Sequence, residues 1–227
     1  MKIFIEATNR VQDVEGVFIE FGVYQGNRFI IFLEEALKQN KEIYGFDSFE
    51  GMPEPVKEDY DKEGKCFYPK GRLYANINEV LSKIPKFVSK DKYHIIKGFL
   101  PDTLSLVNID KVSFAHIDLD QYKATKDVFS WIWDKLSPNG ILLCDDYFPE
   151  RNFLCAKAID EFLEEKKGLI SYTRGDMDWK RYITIKKLEE KNRVKLTKCI
   201  WCGGTGLLVM GVTCDTCKGL GYEEEVI

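Results

Sequence analysis

Strand-sized apolar runs alternate with helix-length amphipathic segments from residue 17 to residue 187, and this rhythm constrains the chain more than any single motif. VFIEFGV (17–23), EIYGFD (42–47), YHIIKGF (93–99), KVSFAHIDLD (111–120), GILLCDD (140–146), LISYT (169–173) and RYITIKK (181–187) are rich in β-branched and aromatic residues, as strands are. Segments 27–40, 76–84, 121–136 and 151–167 carry helical periodicity, and Pro138-Asn139-Gly140 reads as the turn that ends the third of them. Parallel strands need crossovers of about helix length, so the pattern predicts an α/β fold around a seven-stranded, mainly parallel sheet. The last two runs are too close for a helical crossover and are expected to form an antiparallel hairpin at one edge. With 227 residues, 44% of them hydrophobic, the chain can bury one substantial core plus a small appendage. The expected division is an α/β domain at 1–188, a basic linker at 189–197 and a small module at 198–227.

A net charge of -4 gives no chain-wide electrostatic reason to bind nucleic acid. Residues 180–198 do hold eight basic and two acidic residues, which reads as a solvated edge and linker, a contact to an anionic partner being the alternative. The apolar runs are too short to span a bilayer, and MKIFIEATNR lacks the long uncharged core of a signal peptide, so a cytoplasmic protein without membrane contact is expected.

VFIEFGVYQGNRF sets Glu20, Gly22 and Gly26 between a strand and a helix, where a tight turn lets backbone approach a ligand. The spacing is not GxGxxG, so the close pyrophosphate approach of a dinucleotide site is missing. Asp47 ends the next strand, where a carboxylate can accept from ribose hydroxyls, or can serve as a turn residue in FDSFEG. Together these favour a nucleoside cofactor without a phosphate cradle, and S-adenosylmethionine fits better than NAD.

Asp118 and Asp120 end one strand in HIDLDQY, and Asp145 and Asp146 end another in ILLCDDYF. Two adjacent carboxylates at a buried strand end repel one another and resist desolvation, so something positive or hydrogen-bonding has to meet them. Four acids at the ligand-binding edge of an open α/β sheet suit a hard cation such as Mg2+ or Ca2+. Such an ion would lower the pKa of an acceptor hydroxyl beside a methylsulfonium, with a carboxylate taking the proton. Asp120 also stands where an N-cap of helix 121–136 would, and His116 reads as a satisfied core histidine. Residues 52–73 follow no sustained period; a loop that long is expected to be a lid or a surface insertion.

VFIEFGVYQGNRF, YGFDSFEGMPEP, FAHIDLDQYKAT and LSPNGILLCDDY, in this order, resemble the macrocin O-methyltransferase family, which includes sugar methyltransferases of macrolide and aminocoumarin antibiotic pathways. The likeness runs from about residue 10 to 187. It implies a Rossmann-like class I fold, S-adenosylmethionine, Mg2+ and a small sugar-like hydroxylated substrate, and it admits a homo-oligomer. Carried over residue by residue, it implies Mg2+ ligands at Asp118, Asp145 and Asp146, with Asp118 as general base. It implies cofactor contacts at Glu20, Phe21, Gly22, Tyr24, Gly26, Asp47 and Ser48. Family members carry longer segments over the active site ahead of the first strand, which here begins near residue 17.

Of seven cysteines, Cys66, Cys144 and Cys155 are scattered and read as ordinary thiols. Cys199, Cys202, Cys214 and Cys217 form two CxxCxGxG repeats, whose four thiolates suit a structural, closed-shell Zn2+ in a small hairpin module. The repeats resemble half of the cysteine-rich region of DnaJ-type chaperones, which implies a zinc-stabilised hairpin able to hold a protein or RNA partner. Two other functions are therefore carried beside O-methylation of a small molecule: methylation of RNA or protein presented by this module, and a non-enzymatic zinc-stapled interaction protein.

Overall fold

The computed structural model describes residues 2–148, 150–177, 180–190, 194–198 and 222–226, with side chains described up to residue 175 and over 181–190. Strands β1 (Val17–Phe21), β2 (Ile43–Asp47), β3 (Tyr93–Lys97), β4 (Val112–Ile117) and β5 (Leu136–Cys144) run parallel. Strands β6 (Ile170–Met177) and β7 (Lys180–Lys187) form the expected hairpin, and β7 pairs antiparallel with β5. The order is β3-β2-β1-β4-β5-β7-β6, so the direction of winding reverses between β1 and β4. Ligands bind at such a switch point, beyond the carboxyl ends of the strands.

Helices α1 (Lys2–Asn9), α2 (Asn27–Lys38) and α3 (Ile77–Lys83) pack on one face of the sheet, and α4 (Tyr122–Ile132) and α5 (Leu154–Glu165) on the other. The period of two within each strand sorts side chains between these layers. Phe18 and Phe114 face α2, with ring centroids 5.3 Å apart, while Ile19, Phe21, Ala115 and Ile117 face α4 and α5. Glu20 and His116 continue the α2 face and are register partners across β1 and β4. The second layer is closed by Phe129 stacked on Phe162 at 4.2 Å. Each such buried ring contributes roughly 1.5–3 kcal/mol of burial free energy.

Two local expectations are corrected. Pro138-Asn139-Gly140 lies inside β5 and does not close a helix: α4 ends at Ile132 and pairing with β4 already begins at Leu136. Val112 pairs Leu136 but Phe114 pairs Ile141, so the three residues sit in a bulge, with Asn139 at φ 66, where proline's missing N–H is not needed. Helix α1 was not expected, being only eight residues long; it seats Phe4 edge-on against Phe32, His116 and Tyr182. No helix among the described residues is long and apolar enough to cross a membrane.

Beyond the sheet, β8 (Val194–Lys198) pairs antiparallel with β9 (Tyr222–Val226), setting Lys198 opposite Tyr222. Cys199, Cys202, Cys214 and Cys217 lie outside the described residues. Cys66, Cys144 and Cys155 are free thiols, the last two buried, as expected.

Candidate active site

A cavity of about 530 Å3 opens over the carboxyl ends of β1 to β4, in the size range of small-molecule sites. Its floor is the β1–α2 turn. Gly22 has φ 87, and a Cβ there would lie 1.9 Å from the Asp118 carbonyl oxygen, so no other residue fits. Gly26, at φ 79, is the N-cap of α2 and abuts Val80. Asp47 braces this turn: one carboxylate oxygen accepts from the Tyr24 N–H and the other from the Phe49 N–H, each at 2.7 Å. Burial raises its pKa, and these backbone donors pull it back. With the Val23 N–H also donating, three of the carboxylate's roughly four acceptor sites are taken, which leaves one for a ligand hydroxyl.

Of the residues the resemblance assigns to the cofactor, Glu20, Gly22, Tyr24, Asp47 and Ser48 line the cavity, along with Asp118, Asp120 and Asp146, whereas Gly26 does not. Ser48 Oγ is engaged locally, donating to the Gly51 carbonyl at 2.7 Å and accepting from the Glu50 N–H. Phe21 is not on the wall: it is fully buried and stacked on Phe46 at 5.2 Å, contributing its carbonyl to the Asp118 N–H. Gly98, Phe99, Leu100, Leu119 and Ala124 complete the wall. Sequence reasoning missed them, although Gly98 follows β3 as Gly22 follows β1.

The roof comes from the loop at 52–73, through Met52, Pro53, Tyr68, Arg72 and Leu73. The loop is tied down. Gln121 Nε2 donates to the carbonyls of Pro53 and Tyr68, and buried Asp59 accepts from the N–H groups of Tyr122 and Val56 at 2.7 and 2.8 Å. Its base is pinned by Met52 N–H to Arg72 carbonyl at 2.7 Å.

The carboxylates separate by strand parity. Asp118 and Asp145 continue the α2 face of β4 and β5, and both are met by Arg28, the second residue of α2. One guanidinium nitrogen pairs with Asp118 Oδ2, and the other lies 2.8 Å from Asp145 Oδ2. A cation in the first turn opposes the helix dipole, so its place there needs anions in front of it; that was the available signal for a residue the sequence reading overlooked. Burial alone would lower the Arg28 pKa, but Asp118 and Asp145 reverse this and keep it charged. Below it, His116 Nδ1 lies 3.2 Å from Glu20 Oε1, and the ring is fully buried, as expected of a core histidine. Burial holds the Glu20 carboxyl well above 4.5, with Arg28 opposing.

Asp146 takes the other direction, with φ 53, and meets Asp120, at φ 58. Asp120 does not cap α4, whose N-cap is Gln121. Burial, then the charges of Asp118 and Asp146, push its carboxyl well above the usual range, and it hydrogen-bonds to Asp146 and to the Tyr68 hydroxyl. The donor set suits a hard cation. Oxygens of Asp118, Asp120 and Asp146 all lie within 4.8 Å of one another, as do donor atoms of His116, Asp118 and Asp145.

The sequence profile of the macrocin-O-methyltransferase (TylF) family matches residues 1–180. Over 141 residues the chain is 28% identical to the Streptomyces olivaceus 8-demethyl-8-(2,3-dimethoxy-alpha-L-rhamnosyl)-tetracenomycin-C 4'-O-methyltransferase, covering 59% of this chain and 54% of that protein. Over 180 residues it is 23% identical to the Micromonospora griseorubida mycinamicin III 3''-O-methyltransferase, covering 74% of this chain and 69% of that protein. The chain thus spans about half the length of the first of these relatives and about two thirds of the second. Among solved structures, the O-methyltransferase NovP superposes with a TM-score of 0.66 at 20% identity, over 83% of this chain and 79% of that one. Calicheamicin methyltransferase CalS11 gives 0.63 at 22%, over 79% and 76%. At these identities the structures establish the shared fold.

Proposed function

The chain belongs to the macrocin-O-methyltransferase family, and from that premise we propose that it transfers a methyl group from S-adenosylmethionine to a hydroxyl of a sugar-like small molecule. One observation carries this reading: a single cavity is lined both by the Asp47-braced glycine turn and by Asp118. By name, the first relative above is an O-methyltransferase of a rhamnosyl-tetracenomycin and the second of mycinamicin III, which supports the acceptor class.

S-adenosylmethionine supplies the electrophilic methyl group. For its ribose, Asp47 offers a carboxylate already fixed by Tyr24 and Phe49, and Gly22 lets the chain floor lie close to the ligand. Phe99 and Leu100 give an apolar wall for a base, and Met52, Pro53 and Tyr68 exclude water from above. Of the two acids held by Arg28 only Asp118 opens into the cavity, so it is the group placed to take the acceptor's proton on a side-chain oxygen. The resemblance puts a Mg2+ ion on Asp118, Asp145 and Asp146; Asp118 has Asp120 and Asp146 within 4.8 Å on one side and His116 and Asp145 on the other, and an ion bound there would lower the pKa of the acceptor hydroxyl and orient it. A structural Zn2+ is assigned to Cys199, Cys202, Cys214 and Cys217.

The test is calorimetry with S-adenosylmethionine followed by a labelled-methyl screen over sugar nucleotides and glycosylated small molecules. Micromolar cofactor binding and transfer to a hydroxyl are expected, with Asp118→Ala binding cofactor but losing about 10²–10⁴-fold in rate. Absence of cofactor binding, or full activity in Asp118→Ala, would sink the reading.

A further inference from the structure

We infer that Arg28 is the resident cation of the carboxylate cluster, and that a divalent ion gains Asp145 together with Asp118 only by displacing its guanidinium. The atoms in contention are the same: Arg28 holds Oδ2 of Asp118 and Oδ2 of Asp145, one nitrogen to each. A guanidinium fork can meet two carboxylates at once, so one of the two negative charges on this side of the cluster is already balanced. Mg2+ demands oxygen ligands at about 2.0–2.1 Å in near-octahedral geometry, and a guanidinium cannot remain between those oxygens and share them. The like charges would also repel at that range. Arg28 has somewhere to go, because its side chain is 25% exposed and lines the cavity. It also lies over the face of Phe4, with 5.6 Å from the guanidinium carbon to the ring centroid, a contact that would let the side chain pivot. The affinity of the cluster for metal is thereby set by a residue that is not a ligand.

This inference rests on the divalent-ion site proposed above, and its test uses neither cofactor nor acceptor. Mn2+ is titrated into the full chain and into Arg28→Met, with free Mn2+ read by its paramagnetic resonance signal. The variant is expected to bind Mn2+ at least tenfold more tightly, and Arg28→Lys to fall between the two. Should Arg28→Met not fold, guanidinium ¹⁵N NMR of the unaltered chain reads the same event: Arg28 N–H groups protected from solvent without metal should exchange freely at Mg2+ saturation. Equal Mn2+ affinities, no Mn2+ binding by either protein, or an Arg28 guanidinium still protected at saturation would overturn it. Failure of methyl transfer would instead count against the proposed function and leave this titration standing.

Discussion

Gly22 lies directly beneath Asp118: a side chain at Gly22 would begin 1.9 Å from the Asp118 carbonyl oxygen, while the Asp118 N–H is itself bonded to Phe21. The turn proposed to receive the cofactor and the strand end proposed to carry the base are thus one packed unit. Gly22→Ala meets both a φ of 87 and a backbone wall, and the variant is expected to lose about 2–4 kcal/mol of stability. Cofactor affinity should fall at least about tenfold, a loss of about 1.4 kcal/mol, because Asp118 can relieve the clash only by moving. Thermal melts and calorimetry decide it; a variant that melts and binds like the parent would show that the two segments are not rigidly coupled.

Glu20 predicts a pH dependence of opposite sign to that of a salt-bridged acid. Its carboxyl is 1% exposed, and burial raises its pKa well above 4.5. The folded chain therefore binds this proton more tightly than the unfolded chain does. The stability it contributes is fully present below about pH 4.5 and declines as pH rises toward the folded pKa. Glu20→Gln keeps a polar group beside His116 and removes the titration. Stability from urea unfolding between about pH 5 and pH 8 should fall for the parent and stay flatter in the variant. Parallel curves would remove Glu20 as the cause.

Much of this arrangement was readable in advance, and the failures have identifiable reasons. Seven strands and the edge hairpin follow from periodicity, which is strongest in long regular segments; α1 is too short to show a period, and the bulge at Pro138 hides inside turn-forming residues. Asp47, Asp118, Asp145 and Asp146 were all singled out, because acids at strand ends stand out chemically. Their grouping was not found. A strand alternates faces, so adjacent Asp145 and Asp146 diverge, and the repulsion implied by ILLCDDYF is relieved partly by geometry and partly by Arg28. The signal for Arg28 was present, a cation at the wrong end of a helix, but it acquires meaning only when β4, β5 and α2 are brought together.

Asp59 fixes whether the 52–73 loop acts as a roof or a loose flap. It is 1% exposed and accepts N–H groups from Val56 within the loop and Tyr122 at the start of α4. Asp59→Ala strands both donors, at about 1–3 kcal/mol for each buried donor left unpaired. Limited proteolysis should then cut within 52–73 at least several-fold faster, while the melting of the sheet core changes less. A variant that resists protease like the parent would mean that the other ties, among them Gln121 and the stacking of Phe67 on Phe153, hold the loop without Asp59.

The four-cysteine segment predicts a metal stoichiometry. β8 ends at Lys198 and β9 starts opposite it at Tyr222, so the chain carrying Cys199, Cys202, Cys214 and Cys217 leaves and returns at adjacent points. A two-stranded pair is marginal by itself in water, and a tetrahedral ion bound between two CxxC turns would supply the missing stabilisation. Purified under reducing conditions without chelator, the chain should contain about one Zn2+, and the double variant Cys199→Ser, Cys202→Ser should contain almost none. Because the ion is assigned to the appendage, the variant's α/β domain should keep its cofactor affinity. Metal retained in the double variant would exclude the four-thiolate site, and cofactor affinity lost with the metal would mean that the appendage supports the cavity.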